Sequence, residues 1–287
     1  MLVGWKGVSS VVIATSVLLS FASAASAQDA MVEVETNVIY GADQGSALVA
    51  DLAYPSGARG MPAIVYVHGG SWRGGSRNGN GALDVEQWAG FGFFAMTIDY
   101  RLVLASPAPA PYQDVLTAIR WVHAHAAEYG IDPDRVYLIG NSAGGHLASL
   151  VATLGDGPFP RTGGWDEARS DVRGVISVSG AYDVNALSWG NLWTPLAGDV
   201  EEARRLASPI RHVGPDAKPI LLIHSNDDTA VPVEQALNMV QTLAAAGAAH
   251  RFIRWEDKGH MGILPEVVPE ARAFIAEIER GLFGGDR

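Results

Sequence analysis

The sequence predicts an α/β fold: a mostly parallel central sheet with helices on both faces, an antiparallel hairpin at its N-terminal side and no large cap domain. Short apolar runs bounded by Gly, Asn, Ser or Asp alternate with longer stretches of helical periodicity. The runs are apolar at successive positions, which suits strands covered on both faces. One of them, Val136-Tyr137-Leu138-Ile139, leads straight into Gly140-Asn141-Ser142-Ala143-Gly144, and a helix-forming segment leaves it. That is the pattern of a strand-to-helix turn with a serine at its tip.

In chain order, Val32 to Ala53 alternates around Gly41-Ala42-Asp43-Gln44-Gly45 and reads as the hairpin. Central strands follow at Pro62–Val67, ending in His68-Gly69-Gly70, and at Phe93–Ile98, ending in Asp99-Tyr100-Arg101. The same reading holds for Val136–Ile139, Val172–Val178, Pro219–Ile223 and Arg251–Trp255. Helical spacing of Val115, Ile119 and Val122 predicts a helix over Tyr112–Tyr129, stopped by Gly130 and Asp132-Pro133-Asp134. Further helices are expected at Ala143–Leu154, Pro232–Ala246 and Pro265–Leu282. The stretches Gly155–Ser170 and Leu187–Gly198 read as irregular insertions, each too short to be a domain.

Residues 1–27 read as a secretory signal: Lys6, an apolar stretch from Val11 to Phe21, then Ala25-Ser26-Ala27 as an A-x-A cleavage site. The expectation is an exported protein, periplasmic or secreted, with residues 28–287 as one catalytic domain and no stable membrane insertion after cleavage. The apolar stretch is short for a spanning helix, which needs about 20 residues. The chain has no cysteine, which excludes disulfides, a thiol nucleophile and thiolate metal sites. Its formal charge of −11 argues against nucleic acid as a partner.

Ser142 is the candidate nucleophile. Glycines at both flanks remove side chains that would collide in the tight turn, and the helix that follows aims its N-terminal N–H groups at the same spot. A serine needs a histidine to take its proton and a carboxylate to orient that histidine. His260, in the glycine-flanked loop after the last strand, fits the order nucleophile, acid, histidine expected of such a sheet. His123, His125, His212 and His250 fall in or beside helices or at strand starts and read as solvated residues; His146, one turn beyond Ser142, reads as support for the turn. Asp227 and Asp228 both follow a strand and precede a helix, and Asp183 is a third candidate. His68-Gly69-Gly70-Ser71-Trp72 places consecutive glycines after a strand, so Gly70 and Ser71, with Ala143, are candidate backbone donors to an oxyanion. Trp72, Trp189, Trp193 and the Gly155–Ser170 loop are candidates for the walls of a substrate pocket.

Taken together, His68–Trp72, Asp99-Tyr100-Arg101-Leu102, Asp114 with Trp121, Gly140–His146, Asp228-x-x-Val231-Pro232 and Gly259-His260 resemble the α/β-hydrolase carboxylesterases. The likeness is to the group of hormone-sensitive-lipase-type esterases, bifunctional feruloyl/acetyl-xylan esterases and kynurenine formamidases, and covers nearly the whole chain after residue 27. Ser71 stands where the lipase-type pattern has a third glycine, and Trp72 follows it, so the match is to the H-G-G-x-W members. The resemblance implies that the triad aspartate stands three residues before the Val of Val-Pro, which selects Asp228. It also implies hydrolysis of acetyl or feruloyl-type esters through an acyl-enzyme, without metal or organic cofactor; export and a compact, uncapped site favour soluble or polymer-attached esters of short acyl groups. Two alternatives stand beside it: an amide hydrolase on the same triad, and a binding protein that keeps the fold without turnover.

Overall fold

The computed structural model describes residues 31–283 together with Met1, so the expected signal segment lies outside the described residues. Strands β1 (Val32–Asp43) and β2 (Ser46–Pro55) form the hairpin. They meet at Gln44-Gly45, both with positive φ, as a two-residue hairpin turn of matching twist requires. The sheet continues with β3 (Met61–Val67), β4 (Phe94–Ile98), β5 (Ile131–Asn141), β6 (Gly174–Val178), β7 (Ile220–Ser225) and β8 (His250–Trp255). Its order is β1-β2-β4-β3-β5-β6-β7-β8, antiparallel at β1–β2 and β2–β4 and parallel from β4 onward.

Each central strand divides its residues between two cores, because successive side chains point to opposite faces. Ala63, Val65, Val136, Leu138, Ile220 and Leu222 face one layer. That layer is covered by α2 (Ala110–Ala124), α4 (Ala143–Leu154) and α6 (Glu234–Ala246). Ile64, Tyr66, Tyr137, Ile139, Leu221 and Ile223 face the other, covered by α1 (Val85–Gly90) and α7 (Val267–Glu279). Burial on both faces is why these strands read as unbroken apolar runs.

Three local expectations need correction. The helix expected over Tyr112–Tyr129 begins at Ala110 and divides at His125, leaving a one-turn α3 (Ala126–Tyr129). There both the backbone N–H and the ring Nδ1 of His125 bond the Trp121 carbonyl, at 3.0 and 2.8 Å, and close α2. Asp132-Pro133-Asp134 does not separate a helix from a strand but lies within β5. Met61 pairs with Ile131 and Ala63 with Val136, so the intervening residues bulge out of the ladder, where a proline costs no hydrogen bond. Finally, α1 and α5 (Val200–Leu206) stand where no helix was expected. Each is capped by an aspartate, Asp84 accepting from the Gln87 N–H and Asp199 from the Glu202 N–H. Among the described residues, no helix is long and apolar enough to cross a membrane.

Candidate active site

The turn from β5 into α4 holds Ser142 at φ 53° and ψ −120°, a conformation L-residues avoid. Its backbone is tied on both sides: the Ser142 N–H donates to the Val178 carbonyl at 2.9 Å, and the His146 N–H donates to the Ser142 carbonyl at 2.9 Å. The flanking glycines are demanded by contact. A Cβ on Gly144 would stand 1.9 Å from the Val67 carbonyl oxygen, and one on Gly140 would stand 2.5 Å from the Gly144 backbone. Strand β3 and the start of α4 therefore approach at backbone distance, and the serine is pushed up at the C-terminal rim of the sheet.

There it lines a cavity of about 370 Å³ together with Gly70, Ser71, Trp189 and His260. His260 comes from the loop after β8. Its Nδ1 lies 2.8 Å from Asp228 Oδ2 and 3.0 Å from Oδ1. Asp228 follows β7 and is buried, and its Oδ1 accepts the N–H groups of Ala230 at 3.0 Å and Val231 at 2.9 Å. Burial pushes this carboxyl up, but hydrogen bonds from His224, His260 and the Val231 N–H outweigh it and hold the group well below the usual carboxylate range. No hydrogen bond joins the Ser142 hydroxyl to the His260 ring in this arrangement; such contacts often tighten only with substrate in place.

The two other acids sit elsewhere. Asp227 is exposed and makes no hydrogen bond to the His260 ring. Its Oδ1 accepts the Ser225 hydroxyl at 2.6 Å and the Gly259 N–H at 2.8 Å, pinning the loop that carries His260. Asp183 caps the short 3₁₀ turn Val184–Ala186 and pairs with Arg211 at 3.1 Å.

After β3 the backbone takes three consecutive positive φ values: Gly70 at 114°, Ser71 at 51° and Trp72 at 59°. A Cβ on Gly70 would lie 2.2 Å from the Gly74 carbonyl oxygen, so glycine is required there. The Gly69 N–H donates to Asn141 Oδ1 at 3.1 Å, whereas no described residue accepts from the amides of Gly70 or Ser71. Ala143 opens α4, where its N–H has no intrahelical acceptor.

Of the three tryptophans expected as pocket walls, only Trp189 lines the cavity. Trp72 and Trp193 are buried behind it, with ring centroids 5.1 Å apart, and Trp189 packs against Trp72 with centroids 4.6 Å apart and planes inclined at 58°. Trp72 is turned inward by its Nε1, which donates to His146 Nδ1 at 3.2 Å. The Gly155–Ser170 loop is likewise no wall: it packs over α2 and the hairpin, with Thr117 Oγ1 donating to the Thr162 carbonyl at 2.8 Å and the Ala42 N–H to Gly163 at 3.1 Å.

Several residues not singled out in the sequence shape the site. Asn141, the variable residue of the serine motif, accepts the Tyr66 hydroxyl at 2.8 Å on the Oδ1 that also receives Gly69, and so joins β3 to the serine turn. Tyr100 stacks on His68 at 4.1 Å and donates its hydroxyl to the His68 carbonyl at 3.0 Å, supporting the glycine turn from beneath. Arg77 pairs with Asp51 at 3.0 Å and with Asp99, anchoring the segment whose Gly75, Ser76 and Asn80 form the polar wall. Their partners lie 22 to 75 residues away, so no local pattern marks them. Among the described residues, no three His, Asp or Glu side chains are grouped to hold a metal ion.

Residues 50–243 match the family model described as BD-FAE. The esterase LipC of Mycobacterium tuberculosis is 31% identical over 240 residues, covering 78% of this chain and 58% of that protein. The chain spans about half the length of the curated relatives it matches. Among solved structures, a truncated carbohydrate esterase from gut microbiota aligns with a TM-score of 0.74 at 27% identity, over 88% of this chain and 99% of that one. Esterase Est2 of Thermogutta terrifontis aligns with a TM-score of 0.72 at 25% identity, over 90% and 97%. With its sheet, serine turn and chain order, this protein belongs to the BD-FAE family of α/β-hydrolases, and its relatives are carboxylesterases.

Proposed function

We propose that the chain is a serine carboxylesterase in which Ser142 is the nucleophile, His260 the general base and acid, and Asp228 the residue that orients the imidazole. The observation that carries this is the cavity shared by a strained, outward serine and a histidine whose far nitrogen is held by a buried carboxylate. Ser142 Oγ attacks the ester carbonyl and passes its proton to His260 Nε2. The carbonyl oxygen becomes an oxyanion facing the amides of Gly70, Ser71 and Ala143, which need no reorganisation to receive it. Collapse expels the alcohol, protonated by His260, and water then hydrolyses the acyl-enzyme by the same steps reversed.

For substrate we infer short-chain acyl, acetyl or feruloyl-type esters. The cavity is compact, and Trp189 closes one side of it, backed by two further indoles. Est2 of Thermogutta terrifontis has been solved with butyrate and with propionate bound, which supports a small acyl site. Export is inferred from Lys6, the Val11–Phe21 stretch and Ala25-Ser26-Ala27. The test is hydrolysis of p-nitrophenyl acetate, butyrate and octanoate and of methyl ferulate, beside an ester and amide pair of one acyl group. Rates falling with acyl length, and ester far ahead of amide, are expected; faster turnover of the amide would overturn the reading.

A further inference from the structure

The carboxylate proposed to orient His260 has a second histidine against its other side. His224, in β7, is wholly buried. Its Nε2 lies 2.8 Å from the Val231 carbonyl oxygen and 3.4 Å from Asp228 Oδ2. A carbonyl oxygen only accepts, so Nε2 carries the proton and presents it to the Val231 carbonyl with Asp228 Oδ2 beside it. The other ring nitrogen, Nδ1, is buried with no hydrogen-bond partner among the described residues. A half-satisfied imidazole inside a sheet is costly, and an aliphatic side chain like its neighbours Leu222 and Ile223 would avoid that cost. The edge that is bonded must therefore matter.

What it bonds is the less supported half of the carboxylate. Asp228 Oδ1 receives the Ala230 and Val231 amides as well as His260, whereas Oδ2 receives His260 and has, besides it, only His224 Nε2 at 3.4 Å. Without His224, Oδ2 is held only by the ring it is meant to orient, and the rotation of the carboxylate about a soft torsion is set by the two amides on Oδ1 alone. The contact with His224 is also foremost among those that oppose the effect of burial on this carboxyl.

We propose that His224 is a positioning residue for ester hydrolysis: its Nε2–H, shared between the Val231 carbonyl and Asp228 Oδ2, locks the carboxylate in the rotation that receives His260 Nδ1. The proposal rests on the reading of Ser142, His260 and Asp228 as the catalytic triad.

The test uses His224→Gln, His224→Asn and His224→Leu. Gln can put an N–H near the place of Nε2; Asn puts its amide near that of Nδ1; Leu has neither. Two readouts are taken: kcat and KM for p-nitrophenyl acetate, and the downfield proton resonance of the His260–Asp228 hydrogen bond. Gln should stay within about threefold of the parent, whereas Asn and Leu should lose about 10- to 100-fold in kcat with KM little changed, as expected for a hydrogen bond to a charged group that supports the transition state. The downfield resonance should persist in Gln and vanish or broaden in Asn and Leu. A merely structural His224 would lower Tm in all three while leaving kcat and the resonance of the folded protein unchanged, and that result overturns the proposal. If Leu fails to fold, the Gln and Asn pair decides. Asp228→Asn separates the two levels: if it keeps its activity, the triad reading and this proposal both fall. If it is inactive while Asn and Gln at position 224 behave alike, only the proposal falls. In an Asp228→Asn background, His224→Asn should cause no further loss.

Discussion

The indole Nε1 of Trp72 donates to His146 Nδ1 at 3.2 Å, while His146 Nε2 donates to the Ala207 carbonyl at 2.7 Å. With one nitrogen a donor and the other an acceptor, the imidazole is satisfied in its neutral form only. It links the glycine turn after β3, the helix behind Ser142 and the segment after α5. A second proton would face the indole N–H. Burial accordingly pushes the pKa of His146 down from 6.5 to about 4.

A pH dependence of stability follows from this. The unfolded chain binds a proton at His146 below about pH 6.5 and the folded chain does not until about pH 4. The contribution is thus fully present above pH 6.5 and is lost as pH falls from 6.5 through 4. Its size is about 3 kcal/mol over that window. Burial also lowers the pKa of His68 and of His123, which add to the same slope. Thermal melts between pH 4 and pH 7 should show Tm falling toward acid, and His146→Phe, less stable at neutral pH, should show a shallower fall.

Replacing Ser142 separates catalysis from strain. Ser142→Ala should lose at least about 10³-fold in ester hydrolysis, leaving what the oxyanion donors alone provide. Its Tm should match the parent, because alanine meets the same penalty at φ 53°. Ser142→Gly should be as inactive but melt about 2–4 °C higher, because glycine releases the strained dihedral. Equal melting temperatures for Ala and Gly would contradict strain at this turn.

How much of this could be read from the chain depended on how local the cause was. Strands β3, β5, β6 and β7 were legible because burial on both faces writes an unbroken apolar run. The serine turn was legible because the start of α4 lies at backbone contact with β3 and with the end of β5, leaving room only for glycine at Gly144 and Gly140. Helices α1 and α5 were missed although Asp84-x-x-Gln87 and Asp199-x-x-Glu202 carry a capping pattern, since two turns or fewer show no apolar period. Asn141, Tyr100 and Arg77 act through partners distant in sequence. A tryptophan in a loop gives no sign of whether it faces a cavity, as Trp189 does, or stands behind one, as Trp72 and Trp193 do.

Neighbouring acids should behave differently. Asp228→Asn removes the carboxylate that receives His260 Nδ1 and should cost about 10⁴-fold in kcat. Asp227→Asn keeps an oxygen able to accept from Ser225 and Gly259 and should cost less than about 10-fold, because the loop loosens while the ring keeps its partner. Kinetics of the two purified variants on one p-nitrophenyl ester would check this, and equal losses would mean that Asp227 does more than hold the loop.

Trp189 and Trp193 should likewise divide specificity from stability. The Trp189 indole borders the cavity and donates Nε1 to the Ala230 carbonyl at 3.1 Å, so Trp189→Ala enlarges the site without emptying the core. The ratio of octanoate to acetate turnover should rise in that variant, through better accommodation of the longer chain. Trp193 is buried against Trp72 and His146 and touches no part of the cavity wall. Trp193→Ala should therefore cost about 3–5 kcal/mol of stability by leaving a void, with the acyl-chain ratio of the folded protein unchanged. A shifted ratio in Trp193→Ala with Trp189→Ala unaffected would place the acyl chain on the opposite side of the indole stack.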